Sequence, residues 1–309
     1  MSTDGNGAPS VSVIIATLGR AEPLKRAIQS LLRSHTAPSE VLVVDGSAEG
    51  DARGVTAHFG QSPSPVRHIV STRGSSHQRN VGMAMATGDV VLFLDDDARV
   101  TPDVLTQMIY AFADPAVVGV TGRIIEPPSN RVAGKGSRLR VLFDMTAVPG
   151  TFSRSGYPHR LFDESATQDV QFMQGAFMSA RRSPAVSVGF DELLTGYGLA
   201  EDEDFSYRLS RIGRIRYLGD AHVHHDNRGF GARDRREFSR QVIRHRRYLF
   251  EKNFPQTRLA RLDFFRLECA LVLHRLLNGD LVGARSLLGA ILRRDRLPVS
   301  GATTARNLR

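Results

Sequence analysis

The chain of 309 residues has one cysteine, Cys269, and no tryptophan. A lone cysteine excludes an intramolecular disulfide and any cysteine-rich zinc site, and it fits a reducing, cytosolic compartment. No uninterrupted run of about 18 apolar residues occurs, so no membrane-spanning helix is expected. The opening "MSTDGNGAPS" lacks the apolar segment of a secretory signal, and residues 1–9 are expected to form a short disordered tail. Internal repeats and long low-complexity tracts are missing too. So are two phosphate-binding glycine signatures. No G-x-G-x-x-G follows the first apolar segment and no G-x-x-x-x-G-K-[ST] occurs anywhere, which argues against a dinucleotide site or a P-loop.

Charge, by contrast, is plentiful and unbalanced. Lys plus Arg is 41 and Asp plus Glu is 32, a net charge of +9. That balance favours anionic partners: nucleic acid, acidic membrane lipid or phosphorylated substrates. Apolar residues make up 41% and charged residues 24%, ordinary values for a globular protein with a sizeable core.

Along the first part of the chain, strands and helices alternate. "VSVIIAT", "EVLVVDGS", "VRHIVST", "VVLFLD" and "AVVGVTGRI" are rich in β-branched residues and nearly continuous in apolar character, as in strands buried on both faces. Between them lie helical stretches. "AEPLKRAIQSLLRS" spaces Leu24, Ile28 and Leu31 for one face, and "TPDVLTQMIYAFAD" offers a Thr101 cap with Pro102 in the first turn. The pattern predicts a Rossmann-like α/β fold with a mostly parallel sheet. Thr17, Asp45 and Asp95 then fall at carboxyl ends of strands, where open α/β sheets bind ligands. From Glu126 to Asp169 the pattern loosens into a long, partly mobile segment over that crevice.

Three polar clusters carry chemistry. "VVLFLDDD" drives a buried strand into Asp95, Asp96 and Asp97, and strand alternation puts Asp95 and Asp97 on one side with Asp96 pointing away. A divalent cation, Mg²⁺ or Mn²⁺, would offset that charge and leave room for phosphate oxygens. The competing reading is a solvated turn with Asp97 capping the next helix. "EDED", residues Glu201 to Asp204, opens a helix whose dipole welcomes carboxylates, and the surplus acid suggests a general base. "HVHH" carries His222 and His224 on one face and His225 on the other, and one imidazole could complete a metal shell.

In this order the pieces resemble the family 2 glycosyltransferases, inverting enzymes with the GT-A fold. The resemblance covers about Val11 to His225. It includes the T-x-x-R of Thr17 and Arg20, the "VVDGS" segment, and "SSHQRNVGMAMATGDVVLFLDDD" with Arg79, Asn80 and Gly82 before the D-x-D. "MQGAFMSARR", "EDEDFSYRL" and "DAHVHHD" complete it. It implies metal-dependent transfer of a sugar from a nucleotide-diphosphate donor (UDP-, dTDP- or GDP-linked) to an acceptor hydroxyl on a saccharide or lipid-linked acceptor, in cell-surface polysaccharide or glycolipid synthesis. It also implies roles: Thr17, Arg20, Asp45, Arg79 and Asp95 at the nucleotide sugar, Asp97 and His225 at the metal, Asp202 as base with Glu201 beside it, and Gly175 on the acceptor side. The acidic run can be registered two ways, so Asp204 is both an acceptor-side residue and a rival base. Where the family commonly has two aspartates before the glycine of its second segment, this chain has Asp45 alone.

The expected organisation is a GT-A domain over 10–230, with a nucleotide-sugar half to about 125 and an acceptor half over 126–230. A basic amphipathic helical region over 231–296 and a tail over 297–309 follow. In that region Phe265, Cys269, Val272 and Leu276 share a face, continued by Leu281, Leu288 and Ile291. The face reads as core packing, as the seam of a homo-oligomer, or as an interfacial helix on the anionic inner surface of the cell membrane. A nucleotidyltransferase and a basic nucleic-acid-binding protein are the rival classes. The first wants a Gly-rich basic signature that "ATLGRAEPLKR" fits poorly, and no nucleic-acid-binding module is present, so nucleic acid is not expected as a partner.

Overall fold

A computed structural model describes residues 7–127, 148–161, 164–196, 199–226 and 234–297. Most of the expected tails, and the middle of the loose segment before Asp169, lie outside the described residues. The chain falls into two compact units. The first contains an α/β sheet, the second a group of helices, and no described helix is long and apolar enough to cross a membrane.

The sheet begins with β1 (Val11–Thr17), whose neighbours are β2 (Glu40–Asp45) and β4 (Val90–Leu94), both parallel to it. β3 (Val66–Val70) adds outside β2. β1, β2 and β4 are buried almost throughout and largely apolar because helices cover both faces. α1 (Ala21–Leu32) buries Leu24, Ala27, Ile28 and Leu31, an i, i+3, i+4, i+7 stripe, while α3 (Ser75–Met85) presses Met83 into the core of the other face. A short α2 (Arg53–Ala57) lies beyond β2. The order β3-β2-β1-β4 reverses direction between β1 and β4, so their carboxyl ends open a crevice at a topological switch point.

Beyond β4 the sheet departs from a purely parallel layout. β5 (Ala98–Val100), α4 (Val104–Ala111) and β6 (Val117–Ile125) come next in the chain, then β7 (Gln168–Val170) and β8 (Phe177–Arg181). β8 runs antiparallel between β4 and β6. α5 (Arg182–Val188) and α6 (Glu201–Ser210) lead to β9 (Arg214–His225), which pairs parallel with β6 and antiparallel with β5 and β7. The nine strands form one sheet, mostly parallel in direction. α4 starts later than the Thr101 cap predicts: the Thr101 hydroxyl donates to the His222 carbonyl at 3.2 Å, which spends it on β9.

The second unit contains α7 (Arg235–Asn253), α8 (Arg258–Leu277) and α9 (Leu281–Leu292), each capped by a side chain: Asp234, Thr257 and Asp280. Ile243, Leu287 and Ala290 form its apolar centre, Phe250 stacks on Phe264 at 4.5 Å, and a buried Arg247–Glu268 pair closes at 2.7 Å. α8 buries Ala260, Phe264 and Leu267; of the stripe singled out in the sequence, Val272 and Ile291 pack against the apolar centre, while Phe265, Cys269, Leu276, Leu281 and Leu288 stand exposed, so core packing holds for part of that face.

Register shifts on β9 at the step from Gly122 to Arg123 of β6, where the partner jumps from Leu218 to His222. A Cβ on Gly122 would sit 2.4 Å from the Ala221 carbonyl oxygen, a backbone atom with no room to yield. Gly122→Ala should therefore cost about 1–3 kcal/mol as an overpacking change. In the same denaturant melts, the helical Gly54, where an added Cβ would meet nothing within 4 Å, should gain about 0.4–1 kcal/mol on conversion to alanine.

Candidate functional site

Parallel pairing brings Thr17 level with Asp45, and the β5–β9 register sets Ala98 opposite His225. That second register carries the imidazole to the aspartate triplet. His225 Nε2 stands 3.1 Å from Asp97 and 3.8 Å from Asp95, and one atom from each of the three residues fits within 4.8 Å. Asp96 faces the other way, although the triplet is a turn closed by the Ala98 amide on the Asp95 carbonyl at 3.0 Å and not the extended strand that the alternation argument assumes. Asp96 accepts from the Thr17 hydroxyl at 2.6 Å and from Arg20, whose Nη1 also reaches Asp97 at 2.8 Å. Burial pushes Asp96 up to about 6 despite the opposing charge of Arg20. Burial works the same way on Asp97, but the His225 hydrogen bond and charge, with Arg20, hold it at about 2. For His225 burial opposes the charge, and bonds to Asp97 and Glu126 lift it to about 10.

A second cluster adjoins the first through Arg79. This guanidinium is buried, 3.2 Å from Asp95 and 3.1 Å from Glu201, and lies 5.3 Å from the centre of the Phe190 ring. Beside it, Asp202 accepts from the Gly175 amide at 3.1 Å. A Cβ on Gly175 would approach Asp202 Oδ2 at 3.5 Å and Arg79 at 3.7 Å, so glycine keeps this face of the carboxylate open. Burial, then the Glu201 and Glu203 charges, push Asp202 up to about 7. Among the described residues, the buried Oε2 of Glu201 has no hydrogen-bond partner. The helix start itself is set by Ala200 at φ 72°, a left-handed position for a residue with a Cβ.

Two expected site residues are turned elsewhere. Asp45 is wholly buried and its carboxylate is spent on the Ser47 amide and hydroxyl, the Ala52 amide and His68. Asp204 is also wholly buried and paired with Arg208 at 2.9 Å, which in turn holds the Gly189 carbonyl at the end of α5. Of the two rival acids in the run, Asp202 is the half-buried one with its carboxylate beside Gly175. Sequence reasoning missed Glu126, which stands 3.6 Å from His225 Nδ1. Asking of β6 the strand-end question that singled out Asp45 and Asp95 would have found it. It also missed Gln78, whose amide donates to the carbonyls of Thr17 and Val44 at 2.8 Å each and ties α3 to two strand ends; no local signal marks it.

The donor set suits a divalent cation. Two carboxylates and an imidazole converge on one point, with the charge of Asp97 held on the anionic side by its neighbours. Residues 12–188, more than half of the chain, match the Glycosyl transferase family 2. The chain belongs to that family. A pre-mycofactocin glycosyltransferase of Mycobacterium tuberculosis is 31% identical over 71% of this chain and 43% of its own length. The glucosyl-dolichyl phosphate glucuronosyltransferase of Haloferax volcanii is 35% identical over 37% of this chain and 38% of its own. The match thus spans less than half the length of these relatives. A mannosyltransferase of Pyrobaculum calidifontis, solved with GDP-Man and Mn²⁺, superposes with a TM-score of 0.55 over 93% of this chain and 75% of that one, at 18% identity. The likeness is one of fold, and the sheet with its crevice is the GT-A arrangement of the family.

Because Arg79 is the cation paired with buried Glu201, its loss strands that carboxylate, while Asp95 keeps His225 nearby. Arg79→Met should lower stability by about 3–5 kcal/mol, the cost of leaving buried charge uncompensated. Adding Glu201→Gln to that variant should recover part of it, and urea melts of the four-member cycle read the coupling.

Proposed function

We propose that this chain transfers a sugar from a nucleoside diphosphate sugar to an acceptor hydroxyl with inversion at the anomeric carbon. One observation carries the reading: Asp202, its carboxylate beside the Gly175 amide, lies next to a cation-binding trio through a single buried arginine. Family membership supports it. Asp95, Asp97 and His225 would hold Mg²⁺ or Mn²⁺, which when bound supplies positive charge against the departing diphosphate. Asp202 removes the proton of the acceptor hydroxyl, and a base matched to neutral pH contributes about 10²–10⁴-fold. Attack from the face opposite the leaving group needs no enzyme nucleophile. Arg79 and Glu201 hold Asp202 and Asp95 in mutual register. Thr17, Arg20 and the loop organised by Asp45 border the nucleotide side, with Gly175 on the acceptor side. A lipid-linked or saccharide acceptor, and a role in glycolipid or polysaccharide synthesis, are supported by the Haloferax relative, named for a dolichyl phosphate-linked glucose.

The test is a screen of UDP-, dTDP- and GDP-sugars for Mn²⁺-dependent stabilisation and slow hydrolysis, followed by two variants. Asp97→Ala should abolish Mn²⁺-dependent binding of the nucleoside diphosphate in calorimetry. Asp202→Asn should bind the donor as before and lose transfer. Since the base acts deprotonated and Asp202 is pushed up to about 7, kcat/KM of the native protein should rise with pH up to about 7 and then level. Full activity at pH 5, or an active Asp202→Asn, would remove Asp202 from this role.

A peripheral place on the cytoplasmic face of a membrane belongs to the same reading. On α8 and α9, Leu259, Phe265, Leu281 and Leu292 are each more than half exposed, from 58% to 74%, among arginines. Each basic side chain near an anionic bilayer adds about 1 kcal/mol. Co-sedimentation with anionic vesicles at low salt should capture the protein, and Phe265→Ser with Leu281→Ser should release it. Concentration-dependent dimerisation without vesicle binding would assign the face to a seam between copies.

A further inference from the structure

The helical unit has a feature that sugar transfer does not use. α7 presents Glu237, Arg240 and Arg244 at i, i+3 and i+7, one face of the helix. The end of α9 brings Arg293, Asp295 and Arg296 to the same place, and the six side chains line an open cavity of about 270 Å³. Four guanidinium groups face two carboxylates, so positive charge is in excess.

The floor of this cavity is fixed. Ile243, Leu287 and Ala290 pack beneath it. Arg247, bound to Glu268, also donates to the Ala290 and Ile291 carbonyls at 3.4 and 3.2 Å, which clamps the last turn of α9 against α7. The chain then turns through Arg294 at φ 55°, and the Asp295 amide closes the helix on the Ala290 carbonyl at 3.0 Å. This turn carries Arg293 and Arg296 on either side of it.

Among the described residues, three of the four guanidiniums have a carboxylate within reach, and the fourth, Arg293, does not. Glu237 binds Arg244 and stands 3.9 Å from Arg240, and Arg296 leans to Glu251 at 3.5 Å. Among the described residues no carboxylate pairs with Arg293, and the buried Nε of Arg244 has no acceptor. Planar guanidinium forks suit tetrahedral oxyanions, to which they donate two bonds at once. The cavity is smaller than the roughly 300–1,000 Å³ of ordinary ligand sites, so it suits a phosphate group with its waters rather than a second nucleotide sugar.

The geometry points to a binding site for a dianionic phosphate group between α7 and the end of α9, taken either from free phosphate or from a phosphomonoester lipid headgroup. The site does not depend on the sugar-transfer reading, and donor hydrolysis assayed in parallel keeps the two separable. Calorimetric titration of the full chain with inorganic phosphate, at ionic strength balanced with chloride, should show saturable binding. Arg293→Gln and Arg244→Gln should each weaken it roughly tenfold or more, as expected for loss of a charge-assisted bond. Arg293→Gln removes a side chain with no carboxylate partner, so its thermal unfolding and donor hydrolysis should match the native protein.

Vesicles of equal surface charge made with phosphatidate or with phosphatidylglycerol then distinguish the source. A preference for phosphatidate that Arg293→Gln removes assigns the phosphate to a lipid headgroup; phosphate binding without that preference assigns it to a soluble ligand. No saturable phosphate binding, or equal affinity in Arg293→Gln, overturns the site. Capture of a single-stranded oligonucleotide that phosphate does not displace overturns it too.

Discussion

The arrangement of the crevice depends on one buried cation. Arg79 has lost nearly all contact with water, and an isolated guanidinium could not be held there. Glu201 and Asp95 on either side make the burial tolerable, and Phe190, itself stacked on Phe205 at 4.3 Å, closes over it. The same two contacts tie α3 to the end of β4 and to the first turn of α6. A strand end and a helix start that are far apart in the chain are thereby held by a single side chain. Pairing in a medium poor in water is strong enough to fix them there, where an exposed pair would not be.

Around that cation the carboxylates divide into two electrostatic classes. Asp97, beside His225 and Arg20, is held at about 2, and Asp202, crowded by Glu201 and Glu203, rises to about 7. Environments that push acids apart in this way mark one for permanent charge and the other for proton traffic. Asp204 belongs to neither class, since its bond to Arg208 anchors α5 to α6. The acidic run at the start of α6 thus combines a counter-ion, a candidate base and a structural brace within the first turn of one helix.

Much of this was legible in the order of residues alone. Continuous β-branched runs marked the strands, and their ends marked Thr17 and Asp95, while Asp97 and Asp96 part company in a turn that a period of two does not describe. Alternation separated His225 from His222 and His224. What local pattern could not supply was pairing. β8 enters antiparallel between β4 and β6, Thr101 bonds to β9 instead of capping α4, and the inward turn of Asp45 depends on a loop amide and on His68 from the next strand. Each is a long-range partner choice. Gln78 escaped for the same reason, since its partners are two strand ends brought together only by sheet order, whereas Glu126 carries the strand-end signal itself.

The pairing of β5 with β9 also sets when the centre comes into being. Asp95 and Asp97 leave the ribosome early, but His225 is the last residue of the last strand, and Asp202 precedes it only slightly. A nascent chain that has completed the family-matched stretch through residue 188 has neither the imidazole nor the acid of α6. Closing that loop is a late, entropically costly step. Until it is taken, a partly made chain has its acidic strand end without His225 and Asp202 beside it.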